Sequence, residues 1–507
     1  MKERTLFGGV VAFLFVLGAL PLLVMLLGSL YNNGSFTLTA YRELFGNTAL
    51  FQSLKNSFML ALTVATASTS IGVGLGILLG KSDLKFSKFF LVLLLIPLLI
   101  PPYILAFAWA DLFGEWFFGF WGVSFVLFSV YLPIVILIIV LYLHQVDPYL
   151  EEAALQLSGW GRVLWMITLP LIRPAVVFAF LLVFILAFGE FSVANFLRYP
   201  VFSTQGFVYF SAFYDFKAAT AAALPIVMVV AMVFWMQSFL AERKMHFIPA
   251  SLMQKITLLK LHSPLFVLLL LIVILLVMTP LSILIIKTNS IESFLEAGEK
   301  AFDPLERSLL FAMAGATLLT VFGFLSAYII HKRLFTWYRW LDGSILLLFA
   351  LPASLFGIAL ILFWNRAYTN FIYATPLIIL IGYLGKYLAL TTKITEVKLV
   401  QIPRNLMDAA ALSGASWYQI LWYIILPLSK EVLLVGWVIG FIFSLRENTI
   451  TMLLYPPGSD TLPVYIFTQM ANGKDSLIAA LCLIMIIATL LPLLFLGLYN
   501  AMQRRRV

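Results

Sequence analysis

The sequence predicts an all-α membrane protein that crosses the bilayer about twelve times, in two similar six-helix halves. Hydrophobic residues make up 63% of the 507 residues and charged residues only 11%, whereas a soluble domain is roughly 45–50% apolar and about 25% charged. A similar polar segment also occurs twice, ending at Pro170 and again at Pro427, 257 residues later. A repeat at about half the chain length indicates two related membrane units.

Twelve apolar stretches are long enough to cross a bilayer, which takes about 20 helical residues. In the first half they cover residues 6–30, 54–80, 89–112, 121–144, 170–191 and 219–240. In the second half they cover residues 264–287, 308–330, 341–365, 372–393, 427–446 and 476–500. The first stretch is too long for a signal-peptide core, so we expect an uncleaved span. We therefore predict halves at 1–245 and 264–507, joined by a cytoplasmic linker at 246–263.

Prolines interrupt the third stretch of each half. Ile96-Pro97 lies 255 residues before Leu351-Pro352, and Pro101 and Pro102 follow in the first half. Proline removes a backbone donor and clashes with the preceding turn of a helix. Neighbouring helices must then satisfy the freed carbonyls inside a membrane. We expect these spans to be kinked and packed inside the bundle.

The second span carries a glycine series at residues 72, 74, 76 and 80, followed by Lys81-Ser82. It resembles a phosphate-binding loop, but five residues instead of four separate Gly74 from Gly80. The glycines are better explained by close helix packing. The rest of the chain has no ATP-binding motif either. We therefore expect no bound cofactor and no catalytic residues. Any ATP hydrolysis should occur on partner subunits.

The second polar segment begins with Asp408 and continues through Ala409 and Ala410 to Gly414 and Pro427. Asp408 is expected near a helix N-terminus, where the helix dipole favours a carboxylate. Gly414 can end that helix with a positive φ, and proline suits the first turn of the next helix. The predicted order is a short helix, a glycine turn and the next membrane span. A single copy could also be an ordinary alanine-rich cytoplasmic loop.

The first polar segment has a similar order of residue types. Its small and acidic positions are Glu151, Glu152, Ala153 and Ala154, and Gly159 follows. Both segments end in Leu-Pro with a basic residue three positions later. We define the first motif loop as residues 145–169 and the second motif loop as residues 401–427.

These loops resemble the cytoplasmic loop of permease subunits of binding-protein-dependent ABC importers. That loop reads Glu-Ala-Ala, three residues, Gly, then a run ending in Leu-Pro. The second motif loop fits at Asp408, Ala409, Ala410, Gly414 and Pro427. In the first motif loop, counting back from Pro170, the family's glycine position falls on Leu157. Gly159 comes two residues after that position.

The resemblance implies the type I ABC importer permease fold with both halves fused. It implies that two cytoplasmic ABC ATPase subunits dock on the motif loops. Because the outer loops are too short to form a substrate-capturing domain, a separate periplasmic binding protein is also implied.

The net charge of +9 could suggest nucleic acid, but its distribution favours the bilayer. With twelve spans, both termini lie on one side, and that side carries 21 basic residues against 10 on the other. Basic residues concentrate on the cytoplasmic side of membrane proteins. We therefore expect a bacterial inner-membrane protein with cytoplasmic termini and motif loops. Lys386 falls inside a span, where it is either functional or extends to the inner interface.

The outer segment from Arg446 to Pro463 resembles that of the fused permeases of ferric-iron uptake. The fitting residues are Glu447, Leu453, Leu454, Pro457, Gly458, Thr461 and Leu462. Thr451-Met452 departs from that pattern. Thiamine and phosphonate importers share the fused layout, so these substrates stay open.

Two carboxylates occupy the same position in the repeat. Glu190 follows Pro170 by 20 residues, and Glu447 follows Pro427 by 20 residues. Twenty helical residues rise about 30 Å, roughly the hydrocarbon thickness. We expect both near the outer mouth of the substrate pathway, where ferric ion would favour oxygen ligands. The alternative is two interfacial charges that pair locally with Arg198 or Arg446.

Two other classes of protein fit the sequence less well. A twelve-span carrier driven by an ion gradient would share the repeat, but it has no need of paired cytoplasmic motif loops. An intramembrane enzyme lacks a nucleophile–base set at span depth. Cys482 is the single cysteine, and the four histidines have no ligand-like spacing, so no static metal site is expected.

Overall fold

The computed structural model describes residues 2–32, 35–37, 42, 46–84, 86–144, 146–211, 227–232 and 263–504. In the first half of the chain the α-helices are α1 Lys2–Leu14, α2 Leu20–Ser29, α3 Thr48–Lys81, α4 Ser87–Leu99, α5 Pro102–Phe113, α6 Phe120–Leu143, α7 Pro148–Leu157, α8 Trp160–Val163, α9 Leu169–Phe188, α10 Ser192–Phe196 and α11 Phe202–Ser211. In the second half they are α12 Ser263–Val273, α13 Thr279–Thr288, α14 Ile291–Lys332, α15 Tyr338–Ala350, α16 Ala353–Trp364, α17 Asn370–Tyr373, α18 Leu377–Gln401, α19 Arg404–Leu412, α20 Trp417–Ile420, α21 Leu426–Leu445, α22 Thr449–Leu454, α23 Leu462–Asn472 and α24 Asp475–Arg504. The structure also describes a 3₁₀ turn at Gly114–Phe117, several π-helical stretches and one antiparallel pair, β1 Tyr31–Asn32 with β2 Ser35–Phe36.

The predicted all-α membrane fold is confirmed. Within the described residues, nine helices are long and apolar enough to span a bilayer, and two bent helix pairs raise the number to eleven. These eleven correspond to eleven of the twelve predicted spans. The twelfth, at residues 219–240, lies outside the described residues except for 227–232.

The third span of each half is broken, as the prolines predict. The pair α4 and α5 is bent by 91°, and the pair α15 and α16 by 111°. Pro101 (φ −53°, ψ 129°) and Pro352 (φ −53°, ψ 135°) each precede the second helix of their pair. The residue before each proline is extended because proline disfavours the α conformation there.

The predicted match between Pro97 and Pro352 is wrong. Pro97 lies inside α4 and does not end it. Pro101 has the same conformation and position as Pro352, and the two lie 251 residues apart. A proline spacing alone could not distinguish a proline tolerated within a helix from one at its end.

Within the part of the chain that the structure describes, a π-helical stretch joins two helices in four places. These stretches are Phe15–Ala19, Leu164–Thr168, Ile274–Met278 and Leu421–Ile425. A proline occupies the first or second position of the helix that follows each one. Since proline has no N–H to donate to the preceding turn, that turn widens to the i→i+5 pattern. The stretches before Leu169-Pro170 and Leu426-Pro427 give the two motif loops the same approach to their spans.

The chain divides into two compact units that do not follow its two halves. Unit 1 contains Met1–Gly46, Gly206–Leu224 and Ser290–Val507. Unit 2 contains Asn47–Gln205 and Pro225–Asn289. The first span of each half is therefore grouped with the later spans of the other half. The predicted linker at 246–263 lies outside the described residues apart from its last residue.

Glycines in α3 allow close contact with α6. A Cβ added at Gly72 or Gly76 would lie 2.7 Å from Val135 or Ile139, which is closer than real Cβ contacts. A Cβ at Gly80 would lie 3.0 Å from Leu143. Nothing lies within 4 Å of such an atom at Gly74, so the packing prediction is confirmed for three of the four glycines and wrong for Gly74.

Lys386 is held inside unit 1. It is 9% exposed, and its Nζ donates hydrogen bonds to the carbonyl of Phe349, at 2.7 Å, and to the carbonyl of Leu351. These carbonyls lie at the C-terminal end of α15, where a helix lacks intrahelical donors and its dipole favours a cation. The ammonium thus stabilises the break in the third span rather than extending to the interface.

Candidate functional site

The second motif loop has the predicted order of short helix, glycine turn and next span. The helix α19 ends in a Schellman motif, in which the Ala415 N–H donates to Ala410 O and the Gly414 N–H donates to Ala411 O, both at 3.0 Å. Gly414 has a φ of +82°, so its positive φ is confirmed. Ser416 and Gln419 then form a capping box at the start of α20.

The predicted place of Asp408 within its helix is wrong. The helix begins at Arg404, directly after an extended Pro403, so Asp408 is the fifth of nine residues. Its side chain is exposed on α19. The motif pattern gave no information about the residues before Asp408 that begin the helix.

The first motif loop turns without a positive φ. Asp147 caps α7 by accepting from the Tyr149 N–H at 3.0 Å. The helix ends at Leu157, and the next two residues are extended, with φ −153° at Ser158 and φ −71° at Gly159. The displaced glycine therefore does not take the left-handed conformation that Gly414 takes. The two loops differ in geometry, as their sequences predict.

Both motif loops expose apolar and small side chains. Leu157, the last residue of α7, is 89% exposed, and Leu412, the last residue of α19, is 90% exposed. The predicted coupling residues Glu152, Ala153 and Ala409 are exposed, while Ala154 and Ala410 are half-buried. Glu151 is instead fully buried. A groove of about 330 Å³ adjoins the glycine turn of the second motif loop. It is lined by Ser413, Gly414, Ala415, Gln419, Ile420, Tyr423 and Ile424.

Glu190 lies just after the end of α9 and before the short helix α10. Its Oε1 accepts from the Val193 N–H at 3.3 Å, and its Oε2 accepts from the Tyr131 hydroxyl at 3.2 Å. The carboxylate thus satisfies a free N–H in the first turn of α10 and binds a tyrosine of α6.

Glu447 has the same local arrangement between α21 and α22. Its Oε1 accepts from the Ile450 N–H at 2.8 Å, and its Oε2 accepts from the Tyr387 hydroxyl of α18. The side chain of Glu447 is buried, whereas Glu190 is half-buried. The sequence predicted the matched positions of these glutamates but not their tyrosine partners, which lie about 60 residues earlier in the chain.

The two arginines considered as local partners of these glutamates each lie over an aromatic ring. The Arg198 guanidinium carbon is 5.4 Å from the centre of the Phe118 ring, and that of Arg446 is 4.4 Å from Phe443. Arginine over an aromatic face is stabilised by the ring quadrupole. Arg446 directly follows the end of α21, and Arg198 follows the short helix α10.

Residues 72–246 and 319–507 match the family described as binding-protein-dependent transport system inner membrane component. Each matched segment contains one motif loop and one of the two matched glutamates. The chain belongs to this family. The family assignment favours an importer permease over a gradient-driven carrier. It also agrees with the resemblance of the motif loops.

Similar proteins include ferric transport permeases that align with nearly the whole of this chain. The chain is 24% identical to the Fe(3+)-transport system permease protein FbpB 2 of Haemophilus influenzae, over 96% of this chain and 97% of that protein. It is 20% identical to the ferric transport system permease protein FbpB of Actinobacillus pleuropneumoniae, over 96% of this chain and 76% of that protein. The spermidine/putrescine transport system permease protein PotC of Escherichia coli is 23% identical, over 39% of this chain and 74% of that protein.

Proposed function

We propose that this permease carries ferric iron, delivered by a periplasmic binding protein, into the cytoplasm of a bacterium. The observation that carries the proposal is the end-to-end similarity to an Fe(3+)-transport permease, which spans 97% of that relative. The similarity to the polyamine permease spans only 39% of this chain. Thiamine and phosphonate remain alternative substrates for the same importer class.

ATP hydrolysis is proposed to occur on two separate ABC ATPase subunits, one at each motif loop. Support comes from the exposed ends of α7 and α19, where Leu157 and Leu412 present apolar side chains to a partner. The groove beside Gly414 offers a further concave surface for a partner side chain. We propose that the motif loops and both termini lie in the cytoplasm.

The carboxylates of Glu190 and Glu447 are proposed to line the outer part of the iron pathway. A carboxylate has about four acceptor positions, so it can accept hydrogen bonds and also bind a cation. Hard oxygen ligands suit a small, highly charged ion. The repeated arrangement in the two halves supports a shared role.

The substrate is tested by reconstituting the permease with its ATPase and binding protein in liposomes. Uptake of ferric iron, thiamine, 2-aminoethylphosphonate and spermidine is compared with and without ATP. We expect ATP-dependent uptake of ferric iron alone. Uptake of one of the organic substrates, with no uptake of iron, would assign a different substrate to the same importer.

One permease chain is expected to bind one pair of ATPase subunits. The chain already contains two motif loops and two related halves, so no second permease is needed to bind two ATPases. Native mass spectrometry of the detergent-solubilised complex measures this ratio directly. A complex with two permease chains for each ATPase pair would contradict the prediction.

A further inference from the structure

The first motif loop is joined to the rest of unit 2 by a buried ion pair. The Oε2 of Glu151 lies 2.5 Å from the Nζ of Lys81, the last residue of α3, and their side chains are 0% and 7% exposed. The other carboxylate oxygen, Oε1, accepts from the Thr168 hydroxyl at 2.9 Å. Thr168 is the last residue of the π-helical stretch that leads into α9. One carboxylate therefore connects α7 to the ends of two membrane spans.

Glu151 is the main anchor of α7. Among the side chains of α7 that the structure describes, it alone is buried, while the neighbouring Leu150 and Glu152 are exposed. Separating a buried ion pair leaves two unpaired charges away from water, which strongly destabilises the fold. The two side chains therefore stay in contact. A movement of α7 must then carry the end of α3 with it. Glu151 is also too deeply buried to contact a partner protein directly.

The second motif loop has no equivalent anchor within the described part of the chain. Asp408, the counterpart of Glu151 at the same distance from Leu-Pro, is exposed and forms no ion pair there. Ile425 occupies the position that corresponds to Thr168. Lys332, which ends α14 as Lys81 ends α3, is exposed.

We propose that Glu151 and Lys81 are positioning residues that transmit the movement of the first motif loop to the second span. Among the residues that the structure describes, the second motif loop has no such ion pair. The ATP-driven movement is therefore transmitted to the membrane spans through different side-chain contacts in the two halves. The inference rests on the proposed docking of ATPase subunits at the motif loops. It assigns Glu151 a role inside the permease and leaves Glu152 and the exposed apolar residues of α7 to contact the ATPase.

The test compares variants of the reconstituted complex with its ATPase and iron-loaded binding protein. The variants are Glu151→Gln, Lys81→Gln and the exchange Lys81→Glu with Glu151→Lys. The control is Glu296→Gln, which removes one charge of the exposed ion pair with Lys300 outside both motif loops. Two quantities are measured: the amount of ATPase that copurifies, and the stimulation of ATP hydrolysis by the binding protein. The first reports docking, and the second reports transmission through the membrane domain.

Each single variant should reduce the stimulation about tenfold while the ATPase still copurifies. The charge exchange should restore it to within about threefold of wild type, and Glu296→Gln should leave it unchanged. Thr168→Val keeps both charges and should reduce the stimulation two- to threefold. It therefore gives a result even where variants at 81 or 151 do not fold.

Wild-type stimulation in Glu151→Gln or in Thr168→Val would overturn the inference, as would an exchange variant no better than the single variants. Failure of the ATPase to copurify with the wild-type chain would instead reject the proposed docking. The two failures are therefore distinguishable.

Discussion

Replacing Gly414 by leucine should uncouple the second motif loop from its ATPase. The Gly414 backbone has a φ of +82°, and a left-handed conformation costs a residue with a Cβ about 1–2 kcal/mol. One or two kcal/mol changes a conformational equilibrium roughly 5- to 30-fold. The Schellman turn would open, and α19 would lose its orientation relative to α20. We expect ATP-dependent transport to fall by about tenfold, measured in liposomes at equal amounts of inserted protein.

Gly159→Leu in the first motif loop is the matched control. Gly159 has an ordinary φ of −71°, and a Cβ there would meet nothing within 4 Å. The variant should therefore keep most of the wild-type transport activity. Equal losses from the two substitutions would show that backbone conformation is not what distinguishes the loops. Wild-type transport by a well-expressed Gly414→Leu variant would show that the glycine turn is not needed for coupling.

The features predicted correctly from sequence are those that depend on local composition and periodicity. Long apolar runs specify membrane helices because each must satisfy its own backbone in lipid. The break in the third span follows from the loss of a backbone donor and from the restricted residue before Pro101 or Pro352. The left-handed turn at Gly414 follows from the need for a residue without a Cβ.

The features missed from sequence depend on contacts between distant segments. Lys81 and Glu151 are 70 residues apart, and no local pattern indicates that they meet. The grouping of the first span of each half with the other half is equally non-local. The tyrosine partners of the two glutamates come from other spans. The place of Asp408 in α19 was missed for a different reason. The helix begins after Pro403, which comes before the Asp-Ala-Ala run that was compared with the family.

The glutamine double variant of Glu190 and Glu447 should reduce iron uptake at least tenfold. Each carboxylate accepts a backbone N–H from the following short helix, and the glutamine carbonyl oxygen can still accept that bond. The local fold should therefore persist, while the two negative charges that would attract a ferric ion are lost. Uptake is measured in liposomes with the binding protein present, and each single variant should show a smaller loss.

Tyr131→Phe and Tyr387→Phe provide the matched controls. They remove the hydroxyl that donates to each glutamate but leave both charges in place, so uptake should stay within about threefold of wild type. If charge is what matters, the glutamine variants should lose more activity than the phenylalanine variants. Normal iron uptake by a normally expressed double glutamine variant would show that both glutamates only cap their short helices. The iron pathway would then have to use other ligands.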